Sequence, residues 1–245
     1  MINTRPMQRE EPTRVSPQSV PAPGGNARET AYQIIRNQII SLEFKPGEAL
    51  SDKQLAEELK MSRTPVREAL ILLASSNMVI LKPQIGTFVA PIDTERMEME
   101  QFARFTMEKE IISLACSRMT DELKWRYEEN LRAYHHYSEI DFPGRETYLL
   151  GLDNEFHRIA FTAAGRDANF YHMLSGMQHV ERMRMLSLAG LNQEQTYQDH
   201  KEISTAICEG NLVTALYWLD QHLNRYQENI KVLREKYPEY FTLGR

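Results

Sequence analysis

Hydrophobic residues recur every three or four positions between Ala31 and Leu42, the spacing that gathers side chains on one face of an α-helix. A Lys-Pro-Gly sequence at 45–47 follows, and proline and glycine are unfavourable inside a helix. The pattern therefore predicts an amphipathic helix that starts near Arg28 and ends before this sequence.

Two shorter helices are predicted next along the chain. The first opens at Ser51 with Gln54 three residues later, a capping-box pair that satisfies free backbone amides. The second begins after Met61, where Ser62 can cap the helix and Pro65 in the first turn needs no intrahelical donor. It ends near Asn77, a residue type that tolerates the left-handed conformation of a helix end. Only a tight turn separates the two helices.

The pattern changes over residues 79–91, VILKPQIGTFVAP, which predict two short strands around a turn at 83–86. Beyond Pro91 no strand-like alternation recurs. The periodicity there predicts about six helices, over residues 94–118, 121–139, 146–164, 168–188, 193–209 and 211–236.

This order of elements predicts a mainly α protein with two domains. We expect a winged helix-turn-helix domain over residues 28–91 and an all-α helical bundle over residues 92–245. Residues 1–27 are rich in Pro, Gly, Ser and charge, and offer little apolar surface to offset the entropy of ordering. They are expected to be a disordered tail.

The formal net charge of −5 argues against nucleic-acid binding until it is divided along the chain. Residues 1–27 and 28–91 each carry one more basic than acidic residue, whereas residues 92–245 carry 18 basic and 25 acidic residues. The acidity belongs to the predicted bundle. The N-terminal domain can therefore approach a phosphate backbone if its basic side chains share one face.

Cysteine usage and hydropathy bound the location of the protein. Cys116 and Cys208 lie far apart in apolar helical runs, so a disulfide framework is not expected. Neither a signal-peptide core nor an apolar run of about 18 residues is present in the sequence. We expect a cytoplasmic protein that does not bind or span a membrane.

Residues 62–67, SRTPVR, are typical of a recognition helix that enters the DNA major groove by its N-terminus. Arg63 and Arg67 lie one helical turn apart and can reach base edges or phosphates together. Ser62 and Thr64 suit phosphate oxygens. A solvated basic face on an ordinary helical domain is the alternative. The candidate DNA contacts are Lys53, Ser62, Arg63, Thr64, Arg67, Gln84 and Gly86.

The stretch KPGEALSDKQLAEELKMSRTPVREALILLASSNMVILKPQIGTFV resembles the DNA-binding domain of GntR-family bacterial regulators along almost its whole length. The resemblance implies DNA contacts at the positions that match the family motif. The sequence departs from the family at Asn77, where glycine is usual, but asparagine also adopts the left-handed conformation. The implied contacts are Lys53, Arg63, Thr64, Arg67 and Gly86.

Asp153 and His157 are spaced i and i+4, which places a carboxylate and an imidazole on one helical face. His200 and His222 would be about 33 Å apart on one straight helix. A turn at 209–211 lies midway between them and would bring both rings to the same height in a helical hairpin. The four side chains can then bind one ion. Alternatively, Asp153 caps or pairs locally and the histidines satisfy separate hydrogen bonds.

The pattern of Asp153, His157, His200 and His222 on an all-helical background resembles the FCD ligand-binding domain of the FadR-like GntR branch. The resemblance implies a divalent ion at these residues, which helps to hold a carboxylate effector. Zn²⁺, Ni²⁺ and Mn²⁺ all suit this ligand set. The remaining histidines have no counterpart in the pattern and are expected to be structural: His135, His136, His172 and His179.

Arg104 matches a position in the first helix of the family's sensing domain that often points into the pocket. Its planar guanidinium suits a carboxylate effector, but it can equally pair with Glu108 one turn later. Arg182 and Arg184 are weaker candidates for binding the same effector.

Together these features predict a homodimeric repressor rather than an enzyme. Two-fold protein symmetry predicts an approximately palindromic, double-stranded operator. A small organic acid is expected to release this operator, and activation by the acid is the alternative. One alternative is a hydrolase that uses the ion at Asp153 and the three histidines as a Lewis acid, but no general base, nucleophile motif or cofactor fingerprint accompanies them. A second alternative is a regulator with a metal-free pocket.

Overall fold

The computed structural model describes residues 26–191 and 193–242. Three helices and a small sheet come first along the chain. Their bounds are α1 Ala27–Ile40, β1 Ala49–Leu50, α2 Asp52–Glu58, α3 Arg63–Ser75, β2 Val79–Lys82 and β3 Gly86–Val89. The sheet is antiparallel with the order β1-β3-β2. Its β2–β3 hairpin, with Lys82 opposite Gly86, confirms the predicted wing.

The predicted helix ends follow from local capping. The side chain of Ser51 accepts a hydrogen bond from the Gln54 amide at the start of α2, and Asn77 after α3 has a φ of 60°. Ser62 occupies the N-cap of α3, but its side chain makes no capping hydrogen bond, in contrast to the prediction.

Helix α1 begins at Ala27 with Asn26 as its cap, so these two residues of the predicted tail are ordered. Residues 1–25 lie outside the described residues.

The rest of the described chain is helical. The helices are α4 Thr94–Ala115, α5 Asp121–Glu139, α6 Arg145–Ala163, α7 Asp167–Ser175, α8 Gln178–Gly190, α9 Glu194–Cys208, α10 Leu212–Asn224 and α11 Tyr226–Lys236, with a 3-10 turn at Pro238–Tyr240. Two helices predicted as continuous, 168–188 and 211–236, are each broken. Glu100 caps the amides that open α8 after the first break, and Asp199 holds the Arg225 guanidinium at the second.

The first domain packs directly on the helical bundle. Its buried residues from α1, α2, α3 and the sheet form one hydrophobic cluster with side chains of α5, α6 and α8. The bundle residues in this cluster are Tyr134, Leu149, Leu150, Met185 and Leu188. The connection between the domains is also fixed, because the Ile92 amide donates to the Tyr240 carbonyl at 2.7 Å. The two domains therefore share an apolar interface.

Within residues 26–191 and 193–242, no helix combines the length and the hydropathy that crossing a membrane requires.

Candidate functional site

The predicted DNA contacts lie on the α2–α3 unit and on the wing. Helix α3 presents its first turn to solvent, with Val66 as its first buried side chain. The side chains of Arg63 and Arg67 are 53% and 62% exposed, so both are available to a ligand. All seven predicted positions are exposed: Lys53, Ser62, Arg63, Thr64, Arg67, Gln84 and Gly86.

Asp52 at the start of α2 binds both recognition-helix arginines. Its carboxylate oxygens accept hydrogen bonds from Arg63 Nη2 at 2.7 and 3.0 Å, and one of them also accepts from Arg67 Nε. The hydrogen bonds from Arg63 and then Arg67 hold the pKa of Asp52 below its usual value. The two guanidiniums therefore lie side by side. Sequence reasoning missed Asp52, and an acidic residue next to the helix cap was its only signal.

The wing tip depends on backbone conformations that few residues adopt. Gln84 has a φ of 60° and Gly86 a φ of 144°, a region in which a side chain is strained. Between them Ile85 is 73% exposed. The hairpin thus presents an exposed tip to solvent.

A second cluster forms inside the helical bundle, where Asp153 and His157 of α6 meet His200 of α9 and His222 of α10. One ligand atom from each of the four lies within 4.8 Å of the others. The predicted hairpin accounts for the meeting of α9 and α10, with Gly210 at a φ of 72° in its turn. Three of the residues are buried and His222 is nearly so. The four residues predicted from spacing are therefore neighbours in the fold.

Among the described residues, several buried ring nitrogens of this cluster have no hydrogen-bond partner. They are Nε2 of His157 and both Nδ1 and Nε2 of His200. Asp153 Oδ1 lies 3.2 Å from Nε2 of His200. Because an unsatisfied buried polar atom costs free energy, nitrogens that converge on a carboxylate fit a bound cation. The donor set of three imidazoles and one carboxylate suits a divalent transition metal.

Two further carboxylates orient the histidines. Glu108 of α4 lies 2.7 Å from Nδ1 of His157, and Asp199 lies 3.4 Å from Nδ1 of His222. A carboxylate on one ring nitrogen fixes the tautomer that leaves the other nitrogen free for a metal. Glu108 was expected only as a partner of Arg104, and Asp199 was not expected at all. Their roles depend on contacts between helices that sequence spacing does not show.

Burial keeps the imidazoles neutral. It lowers the pKa of His157 and His200, and it lowers the pKa of His222 to about 4. Burial alone would raise the pKa of Glu108, but Arg104 and the hydrogen bond from His157 hold it well below its usual value. Neutral rings beside ionised carboxylates are the protonation states in which these groups bind metals.

A cavity with about 600 Å³ of space, including its opening to solvent, reaches this cluster at Asp153 and His222. Arg104, Arg184 and Arg225 line it. Arg104 lines the cavity, and its Nε donates to Glu108 at 2.6 Å, so the predicted pairing with Glu108 is present.

The two weaker effector candidates, Arg182 and Arg184, differ in whether they line this cavity. Arg184 lines the cavity and pairs with Asp153. Arg182 does not line it: its guanidinium is completely buried and donates to the carbonyls of Ala90 and Pro91. Of the two weaker effector candidates, only Arg184 is therefore placed to meet a ligand there.

The remaining histidines lie outside the cluster. His135, His136 and His172 are exposed, whereas Nδ1 of the buried His179 accepts a hydrogen bond from the Asp93 amide at 3.0 Å. His135 also lies with Glu139 and Glu194 in an exposed group whose ligand atoms are within 4.8 Å of one another. Sequence reasoning did not single out this surface group.

Comparisons with known proteins agree with this architecture. The family described as bacterial regulatory proteins, gntR family, matches residues 27–89, and the FCD domain matches residues 101–225. A regulator described as an uncharacterized HTH-type transcriptional regulator in an unstable DNA locus of Streptomyces ambofaciens is 30% identical over 89% of this chain and 91% of its own.

Two Escherichia coli proteins are also similar. The HTH-type transcriptional repressor RspR of strain K12 is 25% identical over 86% of this chain and 92% of its own. The solved structure of McbR/YncC superposes with a TM-score of 0.70 at 19% identity, covering 87% of this chain and 99% of that one. This last likeness concerns the fold alone.

Proposed function

Because this chain belongs to the GntR family of transcriptional regulators and carries an FCD domain, we propose that it is a repressor controlled by a small organic acid. Its DNA-binding domain spans residues 28–91 and its sensing domain residues 92–245. A homodimer binds an approximately palindromic, double-stranded operator and releases it when the acid binds beside a metal ion. The relative RspR is described as a repressor, which favours this sign of regulation.

The observation that carries the proposal is the cluster of Asp153, His157, His200 and His222 at the end of an arginine-lined cavity. These four residues would hold Zn²⁺, Ni²⁺ or Mn²⁺, and the ion would supply positive charge for a carboxylate oxygen. Arg104 at the cavity wall would bind and orient the acid through guanidinium nitrogens that its bond to Glu108 does not use.

The recognition helix supports the DNA-binding half of the proposal. Arg63 and Arg67 meet base edges or phosphates, Ser62 and Thr64 meet phosphates, and Lys53 contacts the DNA backbone from the start of α2. The wing, through Gln84 and Gly86, reaches a neighbouring groove.

An exposed apolar surface supports the dimer. Met99 and Phe102 of α4 are more than 70% exposed, and Val213 and Tyr217 protrude from α10, which packs on α4. Large exposed hydrophobic side chains on adjacent helices are typical of subunit interfaces. A second copy covering this surface would pair two DNA-binding domains and so require a two-fold symmetric operator.

The test combines elemental analysis of the purified protein with an electrophoretic shift on the DNA upstream of its own gene. Dicarboxylic and monocarboxylic acids are titrated into the shift, before and after treatment with a chelator. We expect about one metal per chain and a shift that an acid abolishes only in the metal-loaded protein.

Two outcomes test the metal site and the operator separately. A shift that responds to an acid without any metal would assign the histidines to structure and leave a metal-free pocket. The absence of a shift on specific DNA at every metal and acid concentration would contradict the proposed operator at this locus.

A further inference from the structure

Helix α8 contacts three parts of the molecule within one turn. Arg184 faces the proposed metal cluster, Arg182 binds the connection between the domains, and Glu181 binds the DNA-binding domain. All three side chains are buried or nearly so. This turn of α8 therefore contacts the proposed ligand site and the DNA-binding domain at once.

At the site end, Arg184 connects two neighbouring residues of α6. Its guanidinium pairs with the Asp153 carboxylate, and its Nη1 donates to Asn154 Oδ1 at 2.7 Å. Asp153 is one of the four proposed metal ligands. A cation bound at Asp153 would compete with the Arg184 guanidinium for the same carboxylate, because both carry positive charge and repel each other.

At the other end, an ion pair joins the two domains. Arg36 of α1 donates to Glu181 Oε2 at 2.7 Å, and the Glu181 side chain is 3% exposed. Asn154 Nδ2 lies 3.5 Å from Glu181 Oε1. Asn154 thus touches Arg184 through its oxygen and Glu181 through its nitrogen, and it links the two charged pairs.

We infer that this buried chain of polar contacts, which we call the α8 relay, couples the ligand site to the DNA-binding domain. The relay consists of Asp153, Arg184, Asn154, Glu181 and Arg36. A ligand that changes the partner of Asp153 changes the position of Arg184 and, through Asn154, the carboxylate that holds Arg36. The inference rests on the proposed function, because it takes the metal cluster as the ligand site.

Arg182 ties α8 to the connection between the domains. Its Nη1 donates to the Ala90 carbonyl at 2.6 Å, and the Asp93 amide donates to His179 at the start of the same helix. A displacement of α8 is therefore passed to the connection between the domains as well as to α1. Helix α8 thus shares, with α5 and α6, in holding the DNA-binding domain.

The test is hydrogen–deuterium exchange of the full chain, stripped with a chelator and then measured with and without Zn²⁺ alone. Exchange reports local opening of each helix and does not depend on an operator. We expect Zn²⁺ to slow exchange in α6, α9 and α10 of the wild type. We also expect it to change exchange in α1 by about fivefold, the low end of typical allosteric couplings.

Asn154→Ala removes the link while leaving all four proposed ligands in place. In this variant Zn²⁺ should still protect α6, α9 and α10, but the change in α1 should be lost. Asn130→Ala is the matched control, since Asn130 is equally buried and donates to the Leu152 carbonyl outside the relay. It should retain the wild-type response. Glu181→Gln provides a second break in the relay if Asn154→Ala fails to fold.

Two results would overturn the inference, and only the second would also reject the proposed metal site. An undiminished α1 response in folded Asn154→Ala or Glu181→Gln would reject the relay and leave the metal site intact. An absence of Zn²⁺ protection at α6, α9 and α10 in the wild type would reject the proposed metal site together with the relay.

Discussion

At the scale of single residues, we expect operator affinity to depend most on Arg63 and Arg67. Replacing either by alanine should weaken operator binding by about 1–3 kcal/mol, because each removes charge-assisted contacts to bases or phosphates. Fluorescence anisotropy on upstream DNA measures the loss. Arg132→Ala, an exposed arginine of α5, is the control and should bind normally. Normal binding by the Arg63→Ala, Arg67→Ala double variant would contradict the assignment.

Asp52 should govern how selectively these arginines bind. In Asp52→Asn the guanidiniums lose the carboxylate that aligns them and neutralises part of their charge. We expect tighter binding to unrelated DNA, a steeper salt dependence and a smaller ratio of specific to non-specific affinity.

The control for Asp52 is Glu57→Gln, an equal charge change on an exposed residue of the same helix. Salt titrations on operator and scrambled DNA compare the two variants. If Glu57→Gln lowered the specificity ratio as much as Asp52→Asn, net charge rather than alignment would explain the effect.

The residue scale also shows where sequence reasoning stops. The spacing of Asp153, His157, His200 and His222 allowed them to meet, and the resemblance to the FCD domain favoured this over separate hydrogen bonds. The structure brings the four together. Glu108 and Asp199 were not predicted as partners of these histidines. Glu108 reaches His157 across 49 residues of sequence, and only the packing of α4 on α6 creates that contact.

At the scale of elements, the pattern located most helices to within a few residues but missed the breaks before α8 and α11. The break before α8 depends on Glu100 of α4, whose carboxylate accepts the His179 and Val180 amides at 2.9 Å. A distant side chain that satisfies the free amides of a new helix leaves no local mark in the sequence.

This buried cap has a consequence for pH. Burial raises the pKa of Glu100 from 4.5 to about 7, so the folded state holds its proton more tightly than the unfolded state. The stabilisation is complete below pH 4.5 and is lost as pH rises towards 7. Between these values wild type should lose free energy of unfolding relative to Glu100→Gln, whose neutral amide can still accept the helix amides.

Chemical denaturation of both proteins at several pH values measures this difference. The comparison removes the opposite contribution of His179, whose pKa burial lowers to about 3, since both proteins contain it. A difference in the free energy of unfolding that is independent of pH would show that Glu100 ionises normally.

At the scale of the whole molecule, the mainly α architecture and the order of a winged helix before a helical bundle were predictable from periodicity and turns. The interface between the domains was not. It is built from Tyr134, Leu149 and Met185 on the bundle side, residues that any amphipathic helix places in a core. Hydrophobic pattern identifies a buried face but not the domain that covers it.

If DNA binding and ligand sensing are separate functions of this one chain, His200→Ala should abolish sensing and leave DNA binding intact. His200 is completely buried in the proposed metal cluster and belongs to α9, whereas the proposed DNA contacts lie on α2, α3 and the wing. The measurement is operator affinity of wild type and His200→Ala, with and without the acid that releases wild type. We expect equal operator affinity without acid and a response to acid in wild type alone. A variant that still releases DNA on acid binding would contradict it.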